Sequence, residues 1–223
     1  QDNGTQRLTT GNDLSTTEAL GGDGAFAHID QSDRRFQIGS FQRNAIAHSS
    51  NGGISFSSLT SQNSEHSFIN PTDLDNQRHI LYAAAERNQY MMIRSINSFS
   101  PQNPEFISAS VGRISHINAN SQTEIRLFIG NQQGEIFMID NANESSPIVT
   151  NISDNISTFG TISSISIGSS DDELIATFSN FGVNSVWVTT DGGDNWINKD
   201  EPEFGLPDIP VRWSLFNPAK TNQ

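Results

Sequence analysis

The sequence predicts an all-β fold, a β-propeller of about four to five four-stranded blades, on three observations. Helical periodicity is almost absent, and short alternating or apolar runs recur between clusters of Gly, Asn, Asp, Ser and Pro. The same order of parts occurs four times. One glycine-bearing turn occurs twice, at Ser49 to Phe56 and Thr189 to Trp196, the two copies starting 140 residues apart, three intervals of about 47.

Taken in order, residues 1–20 form a flanking partial-blade segment, followed by units at 25–60, 67–110, 114–152 and 162–198, and a second flank at 205–223. The first unit offers strands at Ala25 to Asp30, Phe36 to Ser40, Ala45 to Ser49 and Phe56 to Leu59. The second offers Phe68 to Pro71, Ile80 to Ala84, Tyr90 to Ser95 and Phe106 to Ala109. Ile114 to Asn118, Arg126 to Gly130, Glu135 to Ile139 and Pro147 to Thr150 make the third; Ile162 to Ile167, Glu173 to Thr177, Ser185 to Thr189 and Trp196 to Asn198 make the fourth. A further strand opens at Val211.

The small residues ending each second strand, Gly39, Ala83, Gly130 and Thr177, lie 44, 47 and 47 residues apart, close to a blade period. A small residue there lets neighbouring backbones approach. A Greek-key sandwich with turns at similar intervals is the alternative architecture.

The chain carries 12 Lys plus Arg against 25 Asp plus Glu, a net charge of -13. A phosphate backbone or anionic membrane surface is repelled by that balance, so no nucleic-acid partner is expected. With no cysteine, disulfides, thiolate nucleophiles and Cys-ligated zinc are excluded. His28, His48, His66, His79 and His116 show no close pair at ligand spacing, so no zinc centre is expected. No apolar run approaches the ~18 residues that span a bilayer. The chain begins without Met, and its final strand-like run precedes Asn217-Pro218 with no partner strand following. The expectation is an excerpt of a larger propeller, or a five-bladed ring closed by strand exchange between the flanks.

Thr189-Thr190-Asp191-Gly192-Gly193-Asp194-Asn195-Trp196 follows the pattern Ser/Thr, any residue, Asp, any, Gly, any, a usually hydroxylated residue, Trp or Phe; Ser49-Ser50-Asn51-Gly52-Gly53-Ile54-Ser55-Phe56 repeats it with Asn for Asp. In such a turn the Asp or Asn oxygen accepts backbone N–H bonds, the glycines supply positive φ, and the aromatic residue anchors the returning strand. Ser49, Asn51, Gly53, Phe56, Thr189, Asp191, Gly193 and Trp196 are therefore assigned a structural role. With Gln1 to Thr5, Gly21 to Phe26 and Gly205 to Val211, these loops make the chain resemble the Asp-box, or bacterial neuraminidase repeat, propellers related to the sortilin propeller. It is similar in particular to large exported proteins of Bacteroidetes.

That resemblance implies an extracellular, cell-surface or periplasmic location. It implies little about activity, because Asp-box propellers include glycoside hydrolases, assembly factors, sorting receptors and adhesion-like proteins. A non-catalytic binding or scaffold propeller for a protein or polysaccharide partner is the first expectation, with Trp213, Phe181, Tyr90 and Asn88 as contact candidates.

A glycoside hydrolase lobe, sialidase-like or xyloglucanase-like, is the second. A sialidase needs an arginine triad and a Tyr nucleophile. Only Tyr82 and Tyr90 are present, and Arg34, Arg35, Arg87 and Arg94 read as surface residues. A paired-carboxylate mechanism has candidates in Asp23, Asp30 and Glu86, each of which also reads as a turn former, strand-end cap or solvated loop charge. No cofactor is expected. Calcium has candidate oxygens at Asp191 to Asp194 and Asp171 to Glu173, neither at a known loop spacing.

Overall fold

A computed structural model describes residues 3–8, 15–119, 125–156, 159–200 and 206–217. The fold is all-β. Strands β1 (Thr5–Leu8) and β2 (Thr16–Leu20) form a two-stranded sheet, and four four-stranded sheets follow in chain order. The first sheet comprises β3 (Ala27–Ile29), β4 (Gln37–Phe41), β5 (Ala45–Ser49) and β6 (Ser57–Ser58). The second comprises β7 (Thr72–Asp75), β8 (Ile80–Ala84), β9 (Gln89–Ile93) and β10 (Glu105–Ser108). β11 (Ile114–Asn118), β12 (Arg126–Asn131), β13 (Ile136–Asp140) and β14 (Ile148–Asn151) make the third. β15 (Ile162–Ile167), β16 (Leu174–Phe178), β17 (Val186–Thr189) and β18 (Ile197–Asn198) make the fourth. Each sheet is a simple meander in which sequential strands are spatial neighbours, the connectivity of a propeller blade.

The chain divides into two compact units, residues 1–86 with 90–106 and residues 87–89 with 107–223. The first unit packs around Ile38, Ile46, Leu74, Leu81, Met91 and Ile93. The second packs around Phe128, Ile136, Ile162, Leu174, Phe178 and Trp187. In both, the middle strands of the sheets are buried on both faces, so they read as continuous apolar runs, and the outer strands β6, β10 and β14 are largely exposed.

Successive inner strands of the second unit are fastened by a repeated device. The register of β11 against β12 shifts between Ile114 and His116, and that of β15 against β16 shifts between Ile162 and Ser164. Such a bulge leaves Ser115 and Ser163 out of the ladder. Ser115 Oγ donates to the Ile162 carbonyl at 2.7 Å, and Ser163 Oγ to the Val211 carbonyl at 2.6 Å. Gly130 leaves room there for Ile162: a Cβ on it would lie 2.6 Å from Ile162 Cβ.

The first strand of the second sheet begins at Thr72 and not at Phe68. Pro71 sets that boundary. Its carbonyl accepts from Ala84 N–H at 2.9 Å, but it has no N–H to return to the Ala84 carbonyl. Asn44 supplies the missing donor from the first sheet: its Nδ2 reaches the Ala84 oxygen at 2.9 Å. Asn44 does this from a single 3-10 turn, Gln42–Asn44, in the left-handed conformation at φ 62°.

Candidate functional site

The sequence candidates Asp23, Asp30 and Glu86 all fall in the first unit, and the structure does not bring them together as a pair. β3 runs from Ala27 to Ile29, so Asp23 precedes it and Asp30 ends it, at opposite ends of one strand. Glu86 is an exposed residue of the β8–β9 turn.

Asp30 is wholly buried, and its Oδ1 accepts from Ser32 N–H at 2.8 Å, Ser32 Oγ at 2.6 Å and Asp33 N–H at 3.0 Å. His79 Nδ1 meets its Oδ2 at 2.6 Å. Burial alone raises this carboxyl, but the bonds from Ser32, Asp33 and His79 more than offset it and hold the group below its ordinary value. Asp75 repeats the arrangement at the end of β7, with its Oδ1 accepting from the N–H groups of Gln77 and Arg78 at 2.9 Å each. A carboxylate that recurs at the same place in two sheets, closing the same turn, is a strand-end cap.

Tyr82 and Tyr90 are side by side in the core of the second sheet, ring centroids 6.2 Å apart and at most 1% exposed. Burial pushes both phenols above their ordinary value, which disfavours the phenolate. Tyr90, a contact candidate from sequence, is inside β9 and not at a hairpin tip. Asn88 is a turn residue at φ 63°, whose Oδ1 accepts from Gly112 N–H at 2.8 Å. Phe181 is exposed; Trp213 sets its ring edge-on to His116 and stays 55% exposed. Arg35 pairs with Asp33 and Arg94 with Glu105.

The two glycine-bearing loops are closed hydrogen-bond circuits. In the first, Ser49 Oγ accepts from Gly53 N–H at 2.9 Å, and Asn51 Oδ1 accepts from Ile54 and Ser55 N–H at 3.1 and 3.0 Å. In the second, Thr189 Oγ1 accepts from Gly193 N–H at 3.1 Å and Asp191 Oδ1 from Asn195 N–H at 2.9 Å. Trp196 Nε1 donates to the Ile152 carbonyl at 2.6 Å, whereas Phe56 is half-buried. Hydrogen bonds from Asn195, first its side chain and then its backbone, hold the Asp191 carboxyl below its ordinary value. Asp171 meets Arg126 at 3.3 Å, and Glu173 accepts from Ser169 N–H and Oγ. Among the described residues no group of three or more His, Asp or Glu side chains is placed to hold a metal ion.

Two concavities are lined wholly by described residues. In the first unit a groove of about 480 Å³ is lined by Gly4, Thr5, the segment 23–27 and Ile69. Gly4 and Gly24 shape it: both have positive φ, and a Cβ on Gly24 would stand 2.8 Å from the Gly4 carbonyl oxygen. The Asp23 N–H is held by Gln42 Oε1 at 3.2 Å. Backbone, one carboxylate and the apolar Phe26 and Ile69 therefore share one surface, a composition suited to recognition.

In the second unit a pocket of about 210 Å³ is lined by Glu135, Asp154 and Phe159 among others. Glu135 Oε2 accepts from Asn131 Nδ2 at 2.6 Å. Sequence reasoning passed over these two carboxylates. Glu135 and Asp154 belong to different turns 19 residues apart, and only the meander returning through β14 brings them to one pocket.

No family model and no curated protein matches the chain. Among solved structures it is similar to an ancestral GH74 enzyme at 13% identity and TM-score 0.71, over 99% of this chain and 31% of that one. YCF48 from Cyanidioschyzon merolae matches at 16% identity and TM-score 0.56, over 78% and 56%. YCF48 bound to D1 peptide matches at 12% and 0.57, over 86% and 59%. The chain thus spans about a third to three-fifths of these proteins. At such identities the likeness concerns fold, and the fold of this chain is a β-propeller.

Proposed function

We propose that this chain is a non-catalytic binding propeller acting outside the cell or at its surface, whose groove at Gly4, Asp23 to Ala27 and Ile69 takes a protein or glycan partner. The observation that carries this is the fate of the carboxylates expected to do chemistry: Asp30 is consumed in a buried turn, and Asp23 stands at the other end of β3. A fold neighbour bound to a peptide is consistent with a protein partner. The circuits at 49–56 and 189–196 support kinship with the exported Asp-box propellers.

Ala25 is exposed at the lip of the groove, so Ala25→Trp fills it without entering the core. Against a glycan array and a display library of peptides, the wild type is expected to select ligands that Ala25→Trp binds at least tenfold more weakly at unchanged melting temperature. Absence of any ligand, or equal binding by both proteins, overturns the reading.

A second reading rests on the Glu135 and Asp154 pocket and the fold shared with the ancestral GH74 enzyme: a glycoside hydrolase lobe using those two carboxyl groups as acid and base. Hydrolysis of labelled polysaccharides that disappears in Glu135→Gln and in Asp154→Asn, with binding retained, selects it over the first. An inert protein discards it.

A further inference from the structure

The two glycine-bearing loops close the same circuit with different chemistry, and the difference is a reactive one. Asn51 is followed by Gly52. An asparagine before glycine is especially prone to lose its side-chain amide, because no Cβ shields the glycine nitrogen that attacks it. Asp191 and Gly192 hold the corresponding positions in the second loop, with a carboxylate where the first has the amide.

The first loop holds the amide ready for attack and withholds the attacker. Asn51 Oδ1 accepts from Ser49 Oγ at 2.9 Å, Ile54 N–H at 3.1 Å and Ser55 N–H at 3.0 Å. Three donors on one oxygen draw electron density from Cγ and stabilise an oxyanion formed there. The nucleophile would be Gly52 N, which attacks only after losing its hydrogen. That hydrogen is committed: Gly52 N–H donates to the Arg35 carbonyl, in the turn between β3 and β4, at 2.9 Å. Asn51 is exposed, and beyond the chain neighbours of Gly52 no atom lies within 4 Å of where its Cβ would stand. Water therefore reaches the pair as soon as this one bond is released.

We propose that Asn51 is a gated deamidation site, which keeps its amide while Gly52 N–H is bound to the Arg35 carbonyl and becomes aspartate when the loop opens. Once released and deprotonated, Gly52 N bonds to Asn51 Cγ, the bond from Cγ to Nδ2 breaks, and ammonia leaves behind a cyclic succinimide. Water then opens the ring. Addition at Cγ restores the ordinary backbone with aspartate at position 51, and addition at the main-chain carbonyl gives isoaspartate. The sum is one water consumed, one ammonia released and one negative charge gained, with nothing oxidised or reduced. The second loop shows how the aspartate product is held. Asp191 Oδ1 accepts from Thr189 Oγ1 at 2.8 Å and Asn195 N–H at 2.9 Å, and its Oδ2 accepts from Asn195 Nδ2 at 2.8 Å. In the first loop Ser55 Oγ now accepts from Asn51 Nδ2 at 2.8 Å, and a hydroxyl can turn to donate to the new oxygen instead. Aspartate therefore closes the circuit again, whereas isoaspartate puts an extra methylene into the backbone and displaces the carboxylate from its donors. The loop shares no residue with the groove of the same unit, so the two readings are tested apart.

The experiment incubates the full chain in mildly alkaline buffer, folded and in urea, and follows the peptide containing Asn51 by mass spectrometry, with isoaspartate resolved by chromatography. Conversion is expected to be at least tenfold faster in urea, where the gate is open. Asn70 is the control within the same chain: Pro71 follows it and has no N–H to lose, so its amide is expected to persist in both conditions. Ser49→Ala removes the hydroxyl shared by Asn51 Oδ1 and Gly53 N–H. In the folded chain it is expected to speed conversion and hydrogen exchange of the Gly52 amide by the same factor. Asn51→Asp, which stands in for the product, is expected to melt with the wild type at neutral pH. The proposal is overturned if conversion is as fast in the folded chain as in urea, or if urea leaves Asn51 an amide. It is equally overturned if Ser49→Ala fails to speed conversion, or if Asn51→Asp melts well below the wild type.

Discussion

The loops at 49–56 and 189–196 share a hydrogen-bond circuit and differ in what fastens it to the surrounding structure. In both, a hydroxyl at the first position and one oxygen at the third collect the backbone N–H groups of the turn. Asn51 performs this with an amide oxygen, and its Nδ2 donates to Ser55 Oγ at 2.8 Å; Asp191 uses its second oxygen as an acceptor from Asn195 Nδ2 at the same distance. The negative charge is therefore dispensable to the turn.

The anchors are not equivalent. Trp196 is 7% exposed and donates to the Ile152 carbonyl, and Gly193 lies against the same residue: a Cβ there would be 2.8 Å from Ile152 Cβ and 2.9 Å from its oxygen. Phe56 is half-buried, and a Cβ on Gly53 would meet the end of the Gln37 side chain, which can move. The circuit sets the shape of the turn, and the anchor decides how much of the unit's stability depends on it.

Trp196→Ala is the largest break, expected to cost about 3–5 kcal/mol through a cavity and an orphaned carbonyl. Phe56→Ala should cost about 1–2 kcal/mol because less area leaves water on folding. Urea denaturation of both variants checks the contrast, and equal costs would break it.

Acid titration comes next, because it separates the second loop's charge from a buried histidine of the same unit. His116 is 4% exposed, faces the Ile165 carbonyl at 3.2 Å, and burial lowers its pKa from 6.5 to about 4, the carbonyl opposing. Its unfolded form binds a proton that its folded form refuses, so the associated stability is present above pH 6.5 and is lost as pH falls toward 4. The loss is about 3 kcal/mol, and His116→Phe should flatten the curve of melting temperature against pH in that window.

Substitution at the equivalent glycines follows. Gly193→Ala, with φ 99° and a rigid neighbour, should cost about 2 kcal/mol, and Gly53→Ala, at φ 77° with a mobile neighbour, about 1 kcal/mol. Thermal melts of the two variants check the order. The smallest effect is Asp191→Asn, expected to leave the melting temperature at pH 7 nearly unchanged. Asp191 has a depressed pKa, so its contribution is present above the ordinary carboxylate value and is lost as pH falls through the folded one; the variant should show less acid sensitivity below pH 4.

The meander was legible in the sequence because buried middle strands such as β8 and β12 are unbroken apolar runs between turn residues. The start of β7 was not. Phe68 and Ile69 look like strand residues, yet Phe68 is 50% exposed, and the true strand, Thr-Asp-Leu-Asp, is polar because Asp75 closes the following turn. Asp23, Asp30 and Glu86 were readable as carboxylates, but whether a carboxylate is spent on a turn depends on which N–H groups face it. For Asp30 the N–H groups are local, from Ser32 and Asp33, but a further partner, His79, lies 49 residues away. The pocket shared by Glu135 and Asp154 was invisible for the same reason: the turns that form it are brought together by strand pairing and not by spacing.

The amide of Asn44 has a bearing on how such repeats are inherited. Blade-like units invite duplication and shuffling, since each carries its own ladder. Here the ladder of the second sheet is short of one donor at Pro71, and the first sheet provides it through Asn44. A copy of the second repeat moved elsewhere would carry an unmet carbonyl at Ala84 unless its predecessor travelled with it. The modular unit in this part of the chain is therefore the pair of repeats.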